Sequence, residues 1–83
     1  NLAVHWAGDA IRVNAVAPGL IDTPLTAPLQ AFPELLDAEM RRIALGRMGA
    51  PDEVAAAVLF LSSGASAYTT GTVLAVDGGY LAH

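Results

Sequence analysis

Apolar positions fall into five blocks along the chain, and their spacing differs from block to block. Residues 1–7 are apolar apart from Asn1 and His5, and Gly8 follows. This reads as the end of a helix over residues 1–8 with no visible start, stopped by a glycine that tolerates the left-handed cap conformation. Residues 11–17, Ile-Arg-Val-Asn-Ala-Val-Ala, alternate in their first half and run into Pro18-Gly19. That pattern predicts a strand, and its more apolar second half suits a parallel strand covered on both faces. Residues 18–48 show no strand pattern. Pro24, Pro28 and Pro33 break the first half of this stretch. In its second half, residues 34–45 place Leu36, Met40, Ile43 and Ala44 on one helical face, with Asp37 four residues before Arg41 as a surface ion pair. A connection of this length bearing its own helix is more often a binding loop than a turn. Pro51 opens a helix over 51–63, where a missing N–H costs nothing and Asp52 and Glu53 complement the helix dipole. Its body, residues 54–61, is apolar all round and must be covered on every side. Residues 70–77 read as a final buried strand, stopped by Gly78-Gly79, and Asp77-Gly78-Gly79 is a strand-ending turn before it is a phosphate site.

Two strands joined through a crossover helix make an α/β unit. Two strands alone are not a stable sheet. Composition sharpens that point. The chain has 83 residues, 54% of them hydrophobic, against the roughly 45–50% usual for a soluble domain. A domain this small buries only about 60% of the surface its unfolded chain exposes. The apolar excess needs cover from elsewhere, so residues 1–83 are expected to be a single partial domain, a piece of a larger one.

Charge and residue inventory close off other classes. Eight acidic residues against four basic ones leave a net charge of −4. The basic residues are Arg12, Arg41, Arg42 and Arg47, too scattered for a nucleic-acid surface. No cysteine is present, which removes disulfides and thiolate metal sites. His5 and His83 have no second ligand at metal spacing, so no metal is expected. His5 is expected to pack or cap its helix, Asn14 to satisfy local backbone, and Arg47 to pair or cap near the last helix. The longest apolar run, 54–61, falls well short of the roughly 20 residues of a membrane span. No signal peptide is visible, and the cytoplasm is the expected compartment.

Ligands of open α/β sheets bind outside the carboxyl ends of the strands. The first strand delivers its end into Ala17-Pro18-Gly19-Leu20-Ile21-Asp22-Thr23-Pro24. Pro18 fixes the backbone there and Gly19 permits a sharp turn. Backbone groups near Ile21 and the Thr23 hydroxyl then face a ligand, or the pair is merely a turn with Thr23 capping local backbone. The residues alone leave both readings open.

Residues 11–24, Ile-Arg-Val-Asn-Ala-Val-Ala-Pro-Gly-Leu-Ile-Asp-Thr-Pro, resemble the stretch that follows the catalytic helix in short-chain dehydrogenases/reductases. Residues 46–55, Gly-Arg-Met-Gly-Ala-Pro-Asp-Glu-Val-Ala, are similar to that family's entry to its last helix. Residues 59–63 and 71–79 are similar to the helix end and final strand that close the fold. In order, these pieces span nearly the whole chain. The resemblance implies the C-terminal portion of a doubly wound parallel-sheet, Rossmann-like domain, with residues 1–8 as the end of the catalytic helix. It implies an NAD- or NADP-dependent oxidoreductase acting on a small-molecule alcohol or carbonyl. Pro18 and Gly19 would lie under the nicotinamide, Ile21 would bond its carboxamide through the backbone, and the Thr23 hydroxyl would bind the carboxamide or nearby phosphate. Leu25, Leu29, Phe32 and Met40 become candidates for a substrate lid, or for packing.

The resemblance also implies what is missing. No three glycines stand at the phosphate-binding G-x-G-x-x-G spacing. The family's catalytic Tyr-x-x-x-Lys pair cannot exist without a lysine, and Tyr68 and Tyr80 sit in the wrong places to replace it. No catalytic residue is therefore expected, and the chain alone is expected to be inactive. Helix 51–63 and strand 70–77 would form a homo-oligomer interface, with Leu59 or Phe60 central to it or to the core. The alternative is a non-catalytic α/β assembly module. A related enoyl reductase ranks below both, because its turn usually lacks the Pro-Gly-x-Ile-x-Thr pattern.

Overall fold

A computed structural model describes residues 1–82; His83 lies outside the described residues. Five regular elements follow one another: α1 (Leu2–Trp6), β1 (Ala15–Pro18), α2 (Pro33–Arg41), α3 (Pro51–Ser62) and β2 (Val73–Val76). Short 3-10 turns at Ala7–Asp9, Ala27–Ala31, Gly64–Ser66 and Tyr80–Ala82 join or end them. β1 and β2 pair in parallel, with Ala15 opposite Val73 and Pro18 opposite Val76. The α/β reading holds, and α3 lies in the connection between the strands and packs on both.

Several boundaries move, each for a local reason. At the front of α1 the Asn1 side chain accepts a hydrogen bond from the Val4 N–H at 3.0 Å. Its stop is not Gly8, which lies inside the 3-10 turn; the left-handed residue is Ala10, at φ 59°. The strand expected over 11–17 begins only at Ala15, because residues 12–14 bond with side chains as well as backbone. It also extends to Pro18. Ala15 and Gly19 donate to Thr72 O and Val76 O, so by alternation the Pro18 nitrogen faces away from β2, where a missing N–H breaks no bond of the pair. The helix expected over 34–45 runs from Pro33 to Arg41, and Ile43, beyond its end, is buried on the final turn instead. Asp37 and Arg41 form no ion pair within 4.0 Å; among the described residues that contact belongs to Arg47 and Glu53. α3 ends at Ser62, with Ser63 as its cap, and β2 covers 73–76 rather than 70–77.

The amino-terminal end of the sheet is a polar node. The Arg12 guanidinium donates to Ser66 Oγ and Thr69 O at 3.0 Å and to Ser63 O at 3.2 Å. Ser66, 2% exposed, donates its own hydroxyl hydrogen bond to Phe60 O at 2.7 Å. Asn14 donates to Thr69 O and accepts from the Thr72 N–H. Its partners are backbone groups as expected, but they lie 55 and 58 residues away rather than nearby.

Little else is enclosed. Ala3 and Ile43 are the buried apolar residues among those described. The radius of gyration is 15.6 Å, where a compact chain of this length reaches about 12 Å. The accessible surface is 5825 Å², against roughly 4,700 Å² for a folded monomer of this mass. Leu59 is 70% and Phe60 45% exposed, so neither is a core residue of this chain. On β2, exposed Val73 and Ala75 alternate with part-covered Leu74 and Val76, leaving one sheet face open where cover on both was expected. His5 is exposed too, its ring 6.2 Å from that of Trp6, rather than packed or capping.

Candidate functional site

The turn after β1 is shaped by close backbone approach. Gly19 is not in the left-handed region; a Cβ there would stand 2.8 Å from Asp77 Cα and Cβ, at the end of β2. Its glycine is required by that neighbour, not by the sharp turn read from the sequence. Asp77 is itself fixed, since its carboxylate accepts from the Gly79 and Leu81 N–H groups at 2.9 and 3.0 Å. The strand-ending reading of Asp77-Gly78-Gly79 therefore holds. Gly78 and Gly79, at φ 62° and 93°, lie under Ile43 and Ala44, where a Cβ on either would come within 2.7 Å of a side chain.

Beyond Gly19 the chain makes a one-residue parallel bridge between Ile21 and Gly49. Gly49 donates to Leu20 O and accepts from the Asp22 N–H, both at 2.9 Å. Such a bridge turns the N–H and C=O of Ile21 itself to the opposite side. There the Ile21 carbonyl accepts from Thr26 Oγ1 at 2.6 Å. The Ile21 N–H finds no acceptor among the described residues. The Thr23 N–H donates to Thr26 Oγ1 at 3.1 Å, and the Thr23 hydroxyl has no partner among the described residues.

Pro18, Gly19, Ile21 and Thr23 thus follow one another along the turn after β1 with a backbone donor and a hydroxyl open. Two grooves flank this turn, though Thr23 lines neither. One, of about 460 Å³, is lined by Pro18, Gly19, Glu39, Tyr80 and Leu81 among others. The second, of about 430 Å³, runs along Ile21, Gly49, Arg47 and Gly78. None of the expected lid residues lines either groove. Leu25 and Phe32 are exposed, and Leu29 and Met40 are half-covered. Glu39 and Tyr80 take the place expected of Met40, with the Arg42 guanidinium 4.5 Å above the Tyr80 ring.

Thr26 and Gly49 are the residues the sequence reading passed over. The Thr-x-x-Thr spacing from Thr23 to Thr26 was a usable sign, because hydroxyls at such offsets bond nearby backbone. Nothing local marks Gly49, whose partner is 28 residues away in sequence. At the groove margin Arg47 grips Glu53 through two bonds of 2.8 and 2.9 Å, the pairing expected of it. The Arg47 bonds, and then the Ala50 N–H, lower the Glu53 carboxyl to a pKa of about 2. Among the described residues no group of three or more His, Cys, Asp or Glu could hold a metal ion, and no helix is long and apolar enough to cross a membrane.

Parallel strands joined by a crossover helix, with open peptide groups at their carboxyl ends, are the marks of a ligand-binding α/β sheet. Comparison with known proteins narrows that class. Residues 1–81 match the family described as enoyl-(acyl carrier protein) reductase, and the chain belongs to this family of short-chain dehydrogenases/reductases. It is 51% identical over 79 residues to a galactitol 2-dehydrogenase (L-tagatose-forming) of Cereibacter sphaeroides, covering 95% of this chain and 31% of that enzyme. It is 54% identical over 77 residues to a 3-oxoacyl-(acyl-carrier-protein) reductase of Thermotoga maritima, covering 93% and 30%. A crystal structure described as a 2-deoxy-d-gluconate 3-dehydrogenase of Agrobacterium tumefaciens with bound NADP superposes with a TM-score of 0.96 at 46% identity, covering 99% of this chain and 33% of that one. The chain spans about a third of the length of each relative. The family description names an enoyl reductase, whereas these relatives are named as two dehydrogenases and a 3-oxoacyl reductase.

Proposed function

We propose that this chain is the C-terminal portion of an NAD(P)-dependent oxidoreductase that interconverts a small-molecule alcohol and carbonyl. The observation that carries the reading is the edge from Ile21 to Thr23, where an unengaged N–H and an unengaged hydroxyl stand beside a turn kept free of side chains at Gly19. A primary carboxamide offers one acceptor oxygen and two donors, so it complements that pair. The nicotinamide, when bound, supplies the position that gives or takes hydride. Pro18 and Gly19 offer it a flat surface, the Ile21 N–H donates to its carboxamide oxygen, and Thr23 bonds the carboxamide or phosphate. Leu25, Leu29, Phe32 and Met40 form the substrate lid, and Glu39 and Tyr80 add a polar margin to the groove beside the turn. Helix 51–63 and strand 70–77 supply a subunit interface, a reading supported by the exposure of Leu59, Phe60 and Val73.

The catalytic Tyr/Lys pair is no part of this portion, which contains no lysine. The isolated chain is therefore inactive and binds NAD(H) and NADP(H) negligibly; micromolar binding by the pure chain would show that the site is misplaced. In the full polypeptide, catalytic part included, Thr23→Val should weaken dinucleotide binding roughly five- to tenfold, the worth of about one hydrogen bond. Isothermal titration measures this, and unchanged affinity would remove Thr23 from the site.

A further inference from the structure

We propose that Thr26, a residue with no direct part in the site described above, is the positioning residue that holds the bend of residues 21–23, and with it the Thr23 hydroxyl, in its ligand-ready direction; the inference rests on the function proposed above. Thr26 Oγ1 lies inside the bend of residues 21–23. It stands 2.6 Å from Ile21 O and 3.1 Å from Thr23 O, and it accepts from the Thr23 N–H at 3.1 Å. A hydroxyl carries a single proton, and the shorter contact identifies Ile21 O as its main acceptor. The same oxygen then takes the Thr23 N–H on a lone pair. One side-chain atom thus joins the carbonyl before Asp22 to the amide after it.

The opposite side of the bend is held independently. Gly49 engages Leu20 O and the Asp22 N–H. Between these two grips, the peptide joining Ile21 to Asp22 can rotate only by breaking bonds on both sides. The Thr26 and Ala27 N–H groups both donate to Thr23 O at 3.0 Å, which fixes Thr26 to the residue it orients. Without the Thr26 hydroxyl, the Ile21 carbonyl and Thr23 amide must turn toward water to be satisfied. The Thr23 side chain turns with them, while the Ile21 N–H stays in the peptide that Gly49 grips through Leu20 O. Pre-organisation is lost while every group that contacts the ligand is retained.

The test compares wild type, Thr26→Val and Thr26→Ser in the full polypeptide, using NADP(H) and NAD(H) as probes. Thr26→Val is close to threonine in shape but lacks the hydroxyl, and it should raise the dinucleotide Kd and KM about tenfold. kcat at saturating dinucleotide should stay within about twofold, because the catalytic groups lie elsewhere. Thr26→Ser keeps the oxygen and should restore wild-type affinity. If Thr26→Val does not fold, Thr26→Ala, which cannot clash, takes its place with the same expected loss. Equal affinity for Thr26→Val and wild type overturns the inference. So does an equal loss in the serine variant, which would assign the effect to the methyl group. Unfolding of both the valine and alanine variants overturns it as well, by making the hydroxyl a requirement of the fold. A wild-type polypeptide that binds neither dinucleotide overturns the proposed function itself, and the inference with it.

Discussion

At the amino-terminal end of the sheet, Arg12, Asn14, Ser66 and Thr69 use one another's hydrogen-bonding capacity, whereas at the carboxyl-terminal end the Ile21 N–H and Thr23 hydroxyl have no partner among the described residues. Both ends are rich in polar groups. At the first, long side chains reach across more than fifty residues of sequence to bond carbonyls and a buried hydroxyl. At the second, bonds from nearby Thr26 and from Gly49, 28 residues beyond Ile21, immobilise the backbone while leaving selected groups open. The difference separates polar residues that hold a fold from those that prepare it for a ligand. An inventory of residue types would not have made that separation, since Arg12 is the more chemically conspicuous of the two.

Arg12 offers the largest effect by which to break the comparison. Arg12→Ala removes three charge-assisted hydrogen bonds at once, one of them to the buried Ser66 Oγ, and should cost about 3 kcal/mol in urea unfolding of the full polypeptide. Dinucleotide affinity of the folded variant should not change. A loss below about 1 kcal/mol would show that the node carries no structural weight. Gly19→Ala comes next and joins both ends of the argument. Its Cβ would stand 2.8 Å from Asp77 backbone, so overpacking should cost about 2 kcal/mol. Weaker dinucleotide binding should accompany it, because the shifted turn carries Ile21. Stability loss with unaltered binding would separate the turn from the site.

The smallest effect is a pH dependence at the groove margin. Arg47 lowers the folded-state pKa of Glu53 to about 2 from its ordinary 4.5. A carboxyl depressed on folding contributes stability that is fully present above its unfolded pKa. That stability is lost as pH falls through the folded value. The start of α3 should therefore loosen between about pH 4.5 and pH 2. Both partners are well exposed, so the effect is small and weakens with salt. Amide exchange at Ala50 and Glu53 reports it, and Glu53→Gln should abolish the pH dependence. A Glu53→Gln variant with the same acid response would place its origin elsewhere.

The legible parts of this molecule were those governed by neighbours in sequence. Pro51 with Asp52 and Glu53 marked the start of α3, Val73 to Val76 marked β2, and Pro18-Gly19 marked the turn that carries the site. The illegible parts depended on distant partners. Residues 12–14 alternate like a strand, yet loop residues 66–72 draw them out of one by offering carbonyls and hydroxyls. Ile43 continues the apolar stripe of α2 but is drawn out of the helix by the seat at Gly78. Glu39 and Tyr80 meet at the groove only because β2 ends beside Gly19. Leu25 is 90% exposed and lines neither groove, so its apolar character alone does not show what it would cover.

The connection from Gly19 to Gly49 is anchored near both roots. One anchor is the Ile21–Gly49 bridge; the other is the bond from the Leu45 N–H to Gly78 O at 2.9 Å, with Ile43 and Ala44 pressed onto the two glycines. A loop tied in this way has its pivot at the sheet and its freedom at the tip. Any swing would be widest around Leu25 to Phe32 and vanish toward residues 43–49. Insertions or exchanges near the tip would thus reshape what the loop touches without disturbing the edge it rises from.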